Sequence, residues 1–375
     1  LIVKNLDVSG FRNIEKVNLA FSDTFNFISG RNAQGKTNIL EAVHFFSLGR
    51  SFRTRHTDEV IRFGEESAIL RLAGGSDAGV DFRIDIGLER SGRIRVSVNG
   101  KRLGGMSEII GIMPSVIFTP EDIMIASGPP RGRRTYIDYT AAQVSPAFLG
   151  DLKSYRKMLK HRNALLRSMA DTGCDQGELG EWTEMLAEKG GSLVRGRLEI
   201  VRELGERSCA LFSEMLPGGE ELRLEYVCSY DAAGTGDSDT LRAALERVRD
   251  EERRRGYTLA GPHYDDLMIY IGDSELRKYG SQGRKRLVAI ILKLAQAATI
   301  MKRRAERPVV LLDDIMSELD METASRIKEL LSDQYQSFIT SPRARDLEGV
   351  PENASLFMVE AGRFAKMQWS DFHNL

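Results

Sequence analysis

Apolar and polar residues alternate through the first 28 positions: a run over residues 1–9, then Val17, Leu19 and Phe21 separated by Asn18 and Ala20, then Phe25, Phe27 and Ile28. A period of two predicts strands. The last run meets Gly30, and beyond it Ile39, Leu40, Val43 and Phe46 recur at helical spacing over residues 37–47. That order predicts a strand, a glycine-bearing loop and a helix in succession. Between residues 68 and 102 the period returns to two. Val80, Phe82, Ile84, Ile86 and Leu88 share one face, and Ile94, Val96 and Val98 follow before the turn pair Asn99-Gly100. This predicts an antiparallel meander.

Past Gly128-Pro129-Pro130 the pattern becomes helical. Leu152, Tyr155, Leu159, Arg162 and Leu166 form one stripe, and Lys153, Lys157, Lys160 and Arg167 form another. A second helical stretch covers residues 181–215, and the glycine- and aspartate-bearing segment 170–180 predicts that the two pair as an antiparallel hairpin. Heptads do not persist long enough for an extended coiled coil. A strand-like run over residues 221–230 and a charged helix over 240–255 follow, without internal repeat or low-complexity tract. The expected organisation is an α/β head in two parts, residues 1–125 and 221–375, interrupted by a helical arm over residues 126–220.

Composition narrows the class. With 375 residues, 42% of them apolar and 29% charged, the chain buries a sizeable core under a strongly charged surface. Lys and Arg number 53 against 54 Asp and Glu, a net charge of −1, so attraction to nucleic acid must come from local patches. Cys174, Cys209 and Cys228 are far apart and odd in number, which suits a reducing cytoplasm and offers no zinc spacing. The most apolar long stretch, residues 287–301, carries Lys293 and Gln296 and falls short of a membrane span, and the N-terminus does not read as a signal peptide.

The chemistry concentrates in three places. Residues 30–37, GRNAQGKT, fit the phosphate-loop pattern in the required strand–loop–helix setting. Gly30 and Gly35 let the backbone N–H groups of Arg31, Asn32, Ala33 and Gln34 turn inward. Lys36 reaches the β- and γ-phosphates, and the Thr37 hydroxyl ligates Mg²⁺. Far downstream, Val309, Val310, Leu311 and Leu312 read as a buried strand ending in Asp313 and Asp314. Phosphoryl transfer needs a carboxylate for Mg²⁺ and a group to orient water, roles assigned to Asp313 and Asp314 respectively. The bland alternative is an acidic turn after a core strand. Third, Ser281, Gln282 and Gly283 open an apolar helix, which makes a second anion-ready helix start.

Together these blocks resemble the ABC-type ATPase heads of the SMC and RecF families. FRNIEKVNLAF, GRNAQGKTNILEAVHFFSLGRSFRT, VIFTPEDIMIASGPPRGRR, GPHYDDL and LLDDIMSELD are similar to the recurring blocks of the RecF family, across nearly the whole chain. The resemblance implies an ABC-type head, a mixed sheet plus an antiparallel β lobe, with the helical arm inserted. It implies that residues 30–37 are the Walker A loop, Asp313 and Asp314 the Walker B pair, and Ser281, Gln282 and Gly283 the signature. Ser317, Glu318, Leu319 and Asp320 become the dimer-facing D-loop, Thr340 the switch position, and residues 119–122 the neighbourhood of the Q-loop. Two heads would sandwich two ATP molecules, each signature closing on the nucleotide held by its partner. The implied function is ATP-dependent DNA binding in bacterial recombinational repair and replication at single-strand gaps, with RecO and RecR assisting RecA loading and the SOS response. Tyr264 stands where the family block has arginine, and Arg284-Lys285 where it has glutamines.

Candidate DNA contacts are Arg131, Arg133 and Arg134, the stripe Lys153, Lys157, Lys160 and Arg167, and Arg253, Arg254 and Arg255; for each the alternative is a solvated helix face. No base-reading motif is present, so binding depends on DNA structure rather than sequence. His263 lies in the GPHYDD block, and a hydrogen-bonded structural histidine is its reading from the residues alone. Two rivals remain: a transporter nucleotide-binding subunit, disfavoured by the short signature and the charged helical insert, and a phosphate-loop kinase or GTPase, disfavoured by the late position of LLDD.

Overall fold

The N-terminal period-two segments form β1 (Ile2–Phe11), β2 (Ile14–Ala20) and β3 (Phe25–Ser29), but they do not share one sheet. The structure, a computed structural model, describes residues 1–54, 56–172, 178–216, 218–231, 233–332, 334–343 and 353–368. Cys174, His373 and part of the 170–180 connection lie outside the described residues. After β3 comes helix α1 (Lys36–Leu48), then the meander β4 (Ser67–Gly75), β5 (Asp81–Glu89), β6 (Ile94–Val98) and β7 (Lys101–Arg102), then β8 (Ser115–Phe118). β1 pairs antiparallel with both β2 and β4, so a six-stranded antiparallel sheet runs β2-β1-β4-β5-β6-β7. Ile84, Ile86 and Leu88 face its core as expected. Val80 does not: it is 64% exposed, and its N–H donates to Ser76 Oγ in the turn before β5.

Contacts divide the chain into two compact units, Leu1–Asp122 with Gln296–Leu375, and Ile123–Ala295. The second unit begins with α2 (Ile123–Ser127), α3 (Pro130–Val144), α4 (Pro146–Thr172) and α5 (Leu179–Met215). It continues with β9 (Leu222–Val227), α6 (Ser238–Arg247), α7 (Arg249–Arg255), β10 (Asp266–Ile271), β11 (Ser274–Glu275), α8 (Leu276–Tyr279) and the start of α9 (Gln282–Arg304). α4 and α5 pack on each other through the predicted stripe, with Leu152, Tyr155 and Leu166 buried and Lys153, Lys157, Lys160 and Arg167 exposed. Arg162 sits in the apolar stripe at 1% exposure because its guanidinium is neutralised there: it donates to Glu252 Oε2 (2.6 Å), Thr258 Oγ1 (2.9 Å) and Thr183 Oγ1 (3.0 Å). Removing either partner of such a buried pair costs ~3–5 kcal/mol. The helix expected over 240–255 is two helices, since Val248 leaves helical geometry (φ −100°, ψ 4°).

Within the first unit the chain returns through β12 (Val309–Asp313), α10 (Met321–Ser332), β13 (Ser337–Ser341), β14 (Ser355–Glu360) and β15 (Arg363–Met367). A second six-stranded sheet runs β15-β14-β3-β13-β12-β8, parallel throughout except for the β14–β15 hairpin. α1 touches β1 and β4 of one sheet and β8, β12 and β13 of the other. It is therefore buried nearly all round, including Glu41, His44 and Ser47, and not only along the Ile39, Leu40, Val43, Phe46 stripe. Edge-to-face pairs of Phe21 with Phe338 (4.7 Å) and Phe357 (5.8 Å) tie β13 and β14 to the segment after β2.

Candidate nucleotide-binding site

Parallel pairing of β3, β13 and β12 brings their carboxyl ends to one edge of the sheet, where open α/β folds bind ligands. β3 ends at Ser29, and residues 30–35 loop into the N-terminus of α1. Gly30 has φ 157° and a Cβ there would fall 2.4 Å from Val359 O; Gly35 has φ 115° and its Cβ would fall 2.7 Å from Asn13 Oδ1. Only glycine fits either place. Arg31, Asn32 and Ala33 form the exposed rim of the loop, with Ala33 left-handed at φ 64°. Lys36, 4% exposed, folds back so that Nζ donates to the carbonyls of Gly30 (2.9 Å) and Arg31 (3.3 Å) and lies 3.9 Å from Asp314 Oδ1.

Thr37, Asp313, Asp314 and Thr340 meet beside it. Thr37 Oγ1 and Thr340 Oγ1 both donate to Asp313 Oδ1, at 2.8 and 2.9 Å, and Thr340 Oγ1 accepts from the Asp314 N–H at 2.9 Å. Burial raises the Asp313 carboxyl above the usual range, the two hydroxyl donors oppose that rise, and the neighbouring Asp314 charge adds to it. Asp314 takes a left-handed backbone at φ 53°, a conformation that costs ~1–3 kcal/mol for a non-glycine residue and persists only where neighbours enforce it. Its Oδ1 is buried without a hydrogen-bond partner. A hydroxyl, a buried carboxylate and an unsatisfied carboxylate oxygen beside an ammonium form a hard oxygen set that fits Mg²⁺ completed by phosphate and water oxygens. Among the described residues no group of three or more His, Cys, Asp and Glu forms an all-protein cage.

The residues after β12 are held by local hydrogen bonds. Ser317 Oγ donates to Asp314 O (2.8 Å), Arg343 donates to Ser317 O (3.3 Å), and Asp320 caps α10 by accepting from Thr323 N and Oγ1, both at 2.8 Å. Glu318 and Asp320 are exposed and Leu319 half-buried. Thr119, at the end of β8, donates its N–H to Asp122 Oδ2 (2.6 Å), closing the turn at residues 119–122. In the second unit Ser281 opens α9, accepting at Oγ from Arg284 N (3.3 Å). Ser281, Gln282 and Gly283 are exposed, and a Cβ at Gly283 would meet nothing within 4 Å. Arg284 is paired with Glu220 (2.8 Å).

Two of the expected basic residues are internally committed. Arg133 is 2% exposed and bonds Asp266 and the Gly128 carbonyl, and Arg134 donates to Asp265 O (2.6 Å). Both therefore hold the second unit together instead of facing a phosphate, while Arg131 is exposed. Arg254 and Arg255 both pair with Glu251. Tyr264, in the arginine position, donates its hydroxyl to Thr258 O (3.1 Å). The sequence reading missed Asn13, Glu41 and Arg53. Glu41, fully buried, accepts from Arg12 Nε and NH2 (2.9 and 2.6 Å) and Ser51 Oγ (2.5 Å), with Arg53 NH1 at 3.5 Å; Asn38 bridges Asn13 and Arg53. Their only sequence signal is membership of the FRNIEK block, for Asn13, and of GRNAQGKTNILEAVHFFSLGRSFRT, for Glu41 and Arg53.

The family model described as RecF/RecN/SMC N terminal domain matches residues 2–365. The protein named DNA replication and repair protein RecF from Symbiobacterium thermophilum is 34% identical over 96% of this chain and 97% of its own, and its namesake from Streptococcus thermophilus is 35% identical over 98% and 99%. Structures described as the recombination mediator protein RecF-ATPrS and RecF-ATP in the RecFOR pathway superpose with TM-scores of 0.91 at 33% identity, the first covering 97% of this chain and 98% of its own, the second 98% and 97%. An SMC head bound to the C-winged helix domain of ScpA shares the fold alone, at TM-score 0.59 and 18% identity, with both chains covered in full. With an ABC-type head architecture, glycines that no other residue could replace in the loop, and relatives a third identical from end to end, this chain belongs to the RecF family.

Proposed function

We propose that this chain is an ATP-dependent DNA-binding protein of bacterial recombinational repair and replication, located in the cytoplasm. ATP drives two copies together on DNA at single-strand gaps, and slow hydrolysis releases them. The observation that carries the reading is the meeting of Lys36, Thr37, Asp313, Asp314 and Thr340 at the carboxyl ends of β3, β12 and β13. The carbonyls that Lys36 now bonds are acceptors that phosphate oxygens can replace, which leaves the ammonium to neutralise the β- and γ-phosphates. Mg²⁺, held by Thr37 Oγ1 and Asp313, would supply charge withdrawal from the phosphate oxygens. Asp314 Oδ1, lacking a hydrogen-bond partner, orients the attacking water, and Thr340 fixes the Asp314 backbone that aims it. Exposure of Ser281, Gln282 and Gly283 supports their use by a second copy, and Ser317, Glu318, Leu319 and Asp320 are the dimer-facing residues the family resemblance implies. RecR, with RecO, is the protein partner the family implies.

Sedimentation with and without Mg·ATP and gapped DNA tests the proposal. Wild-type protein dimerises with ATP, Lys36→Ala does not, and Asp314→Asn accumulates the dimer because it binds but does not hydrolyse. Ser281→Arg binds nucleotide and stays monomeric. Monomers throughout, at saturating Mg·ATP, reject the mechanism.

A further inference from the structure

We infer that the β14–β15 hairpin is a strut that sets the phosphate loop, and that the Gln34 side chain, Gly362 and Asn13 position this loop for the nucleotide rather than contact it. The inference rests on the nucleotide reading above. β14 runs parallel to β3 with Met358 opposite Ser29, and it continues through Glu360 after β3 has turned into the loop. Val359 O then occupies the space a side chain at Gly30 would need. Glu360 pairs with Arg363, leaving Ala361 and Gly362 as a two-residue turn with φ 48° and 78°. Two positive φ values describe a type I′ turn, in which alanine is disfavoured at the first position. The strained turn directs both its N–H groups at one loop residue. Ala361 N donates to Gln34 Oε1 at 2.6 Å, and Gly362 N donates to Gln34 O at 2.9 Å.

Asn13 closes the arrangement. Its Nδ2 donates to the same Gln34 carbonyl (3.0 Å) while its Oδ1 accepts from Asn38 Nδ2 of α1 (2.7 Å). A Cβ at Gly35 would fall 2.7 Å from Asn13 Oδ1, and one at Gly362 would fall 2.4 Å from Asn13 O, so the loop and the turn close on Asn13 from two sides. The Gln34 side-chain oxygen is therefore committed to a segment 327 residues away. A loop fixed before the nucleotide arrives binds it without the entropic cost of ordering.

Two variants of the full chain test this. Gln34→Met keeps length but removes the acceptor of the Ala361 N–H; Gly362→Ala drives a methyl group against Asn13 O. The measurements are Kd for a non-hydrolysable ATP analogue with Mg²⁺, KM and kcat for ATP, and melting without nucleotide. Gln34→Met raises Kd and KM about 3- to 10-fold, the worth of one lost hydrogen bond, with kcat at saturation within about twofold. Its nucleotide-free melting temperature stays within about 2 °C, and Gly362→Ala raises Kd further. Wild-type affinity in both variants overturns the strut alone, and if Gly362→Ala does not fold, Gln34→Met decides. A Gln34→Met variant whose affinity loss comes with a fall in melting of more than about 4 °C assigns the contact to general folding and also overturns it. Wild-type protein that binds no nucleotide overturns the function and the strut with it.

Discussion

His263 shows how far surroundings can move one side chain. Its Nδ1 lies 2.6 Å from the Tyr155 hydroxyl, which donates to this nitrogen when the ring is neutral with its proton on Nε2. Burial, joined by the charges of Arg134, Arg197 and Arg162 and opposed by the contact of Nε2 with Thr258 O at 3.5 Å, lowers the pKa to about 4. The folded pKa lies below the unfolded value of about 6.5, so the unfolded chain takes up the proton first. The stabilisation is complete above pH ~6.5 and is lost as pH falls towards 4. Glutamine at this position accepts the Tyr155 hydroxyl but does not titrate. Between pH 7 and pH 5 the stability of the wild type should therefore fall by about 2 kcal/mol more than that of His263→Gln in denaturant titrations. Parallel pH profiles would show that the histidine is not held neutral.

At the scale of elements, glycines within α5 separate propensity from packing. A helical glycine costs ~1 kcal/mol relative to alanine. A Cβ at Gly205 would stand 3.8 Å from the Leu224 Cβ, an ordinary contact, so Gly205→Ala should stabilise by ~0.5–1 kcal/mol. At Gly191 the same atom would fall 2.8 Å from Gly236 O and 3.1 Å from Ser238 N, backbone at the start of α6, and Gly191→Ala should destabilise by ~1–3 kcal/mol. Thermal melting of the pair checks the sign, and two shifts in the same direction would contradict the packing. Nothing in a helical sequence pattern distinguishes these two glycines. The same boundary separates what was legible from what was not. Strands β1 to β6, the loop before α1, the α4 stripe and the end of β12 in Asp313 were readable because side-chain period and turn chemistry are local. The break at Val248, the exposure of Val80 and the all-round burial of α1 depend on what packs nearby. Around the site, Lys36, Thr37, Asp313 and Asp314 carry motif spacing, whereas Glu41 and Asn13 act through partners that no spacing connects.

For the whole molecule, the question is how a chain of net charge −1 holds DNA. Arg133 and Arg134 are committed to Asp266 and to the carbonyl of Asp265, which removes them from the supply of phosphate contacts, while Arg254 and Arg255 are exposed and paired at the surface with Glu251. Lys153, Lys157, Lys160 and Arg167 remain exposed along one face of α4, spread over about 21 Å at 1.5 Å per residue. Four phosphate contacts release about four counterions, so the logarithm of affinity should fall with the logarithm of salt at a slope of about −3 to −4 per copy. Changing Lys153, Lys157 and Lys160 together to glutamine should flatten the slope by about 2 to 3, equally for every DNA sequence. Arg133→Gln offers the contrast: it breaks a buried pair with Asp266, so it should lower melting while leaving the slope of the folded fraction intact. ATP adds a further discrimination. If nucleotide joins two copies on one duplex, two α4 faces engage and the slope should roughly double when a non-hydrolysable analogue is added. An unchanged slope in the triple variant would move the DNA surface off α4, leaving exposed groups such as Arg131 to carry it; a slope unchanged by nucleotide would mean that the copies meet without sharing the DNA.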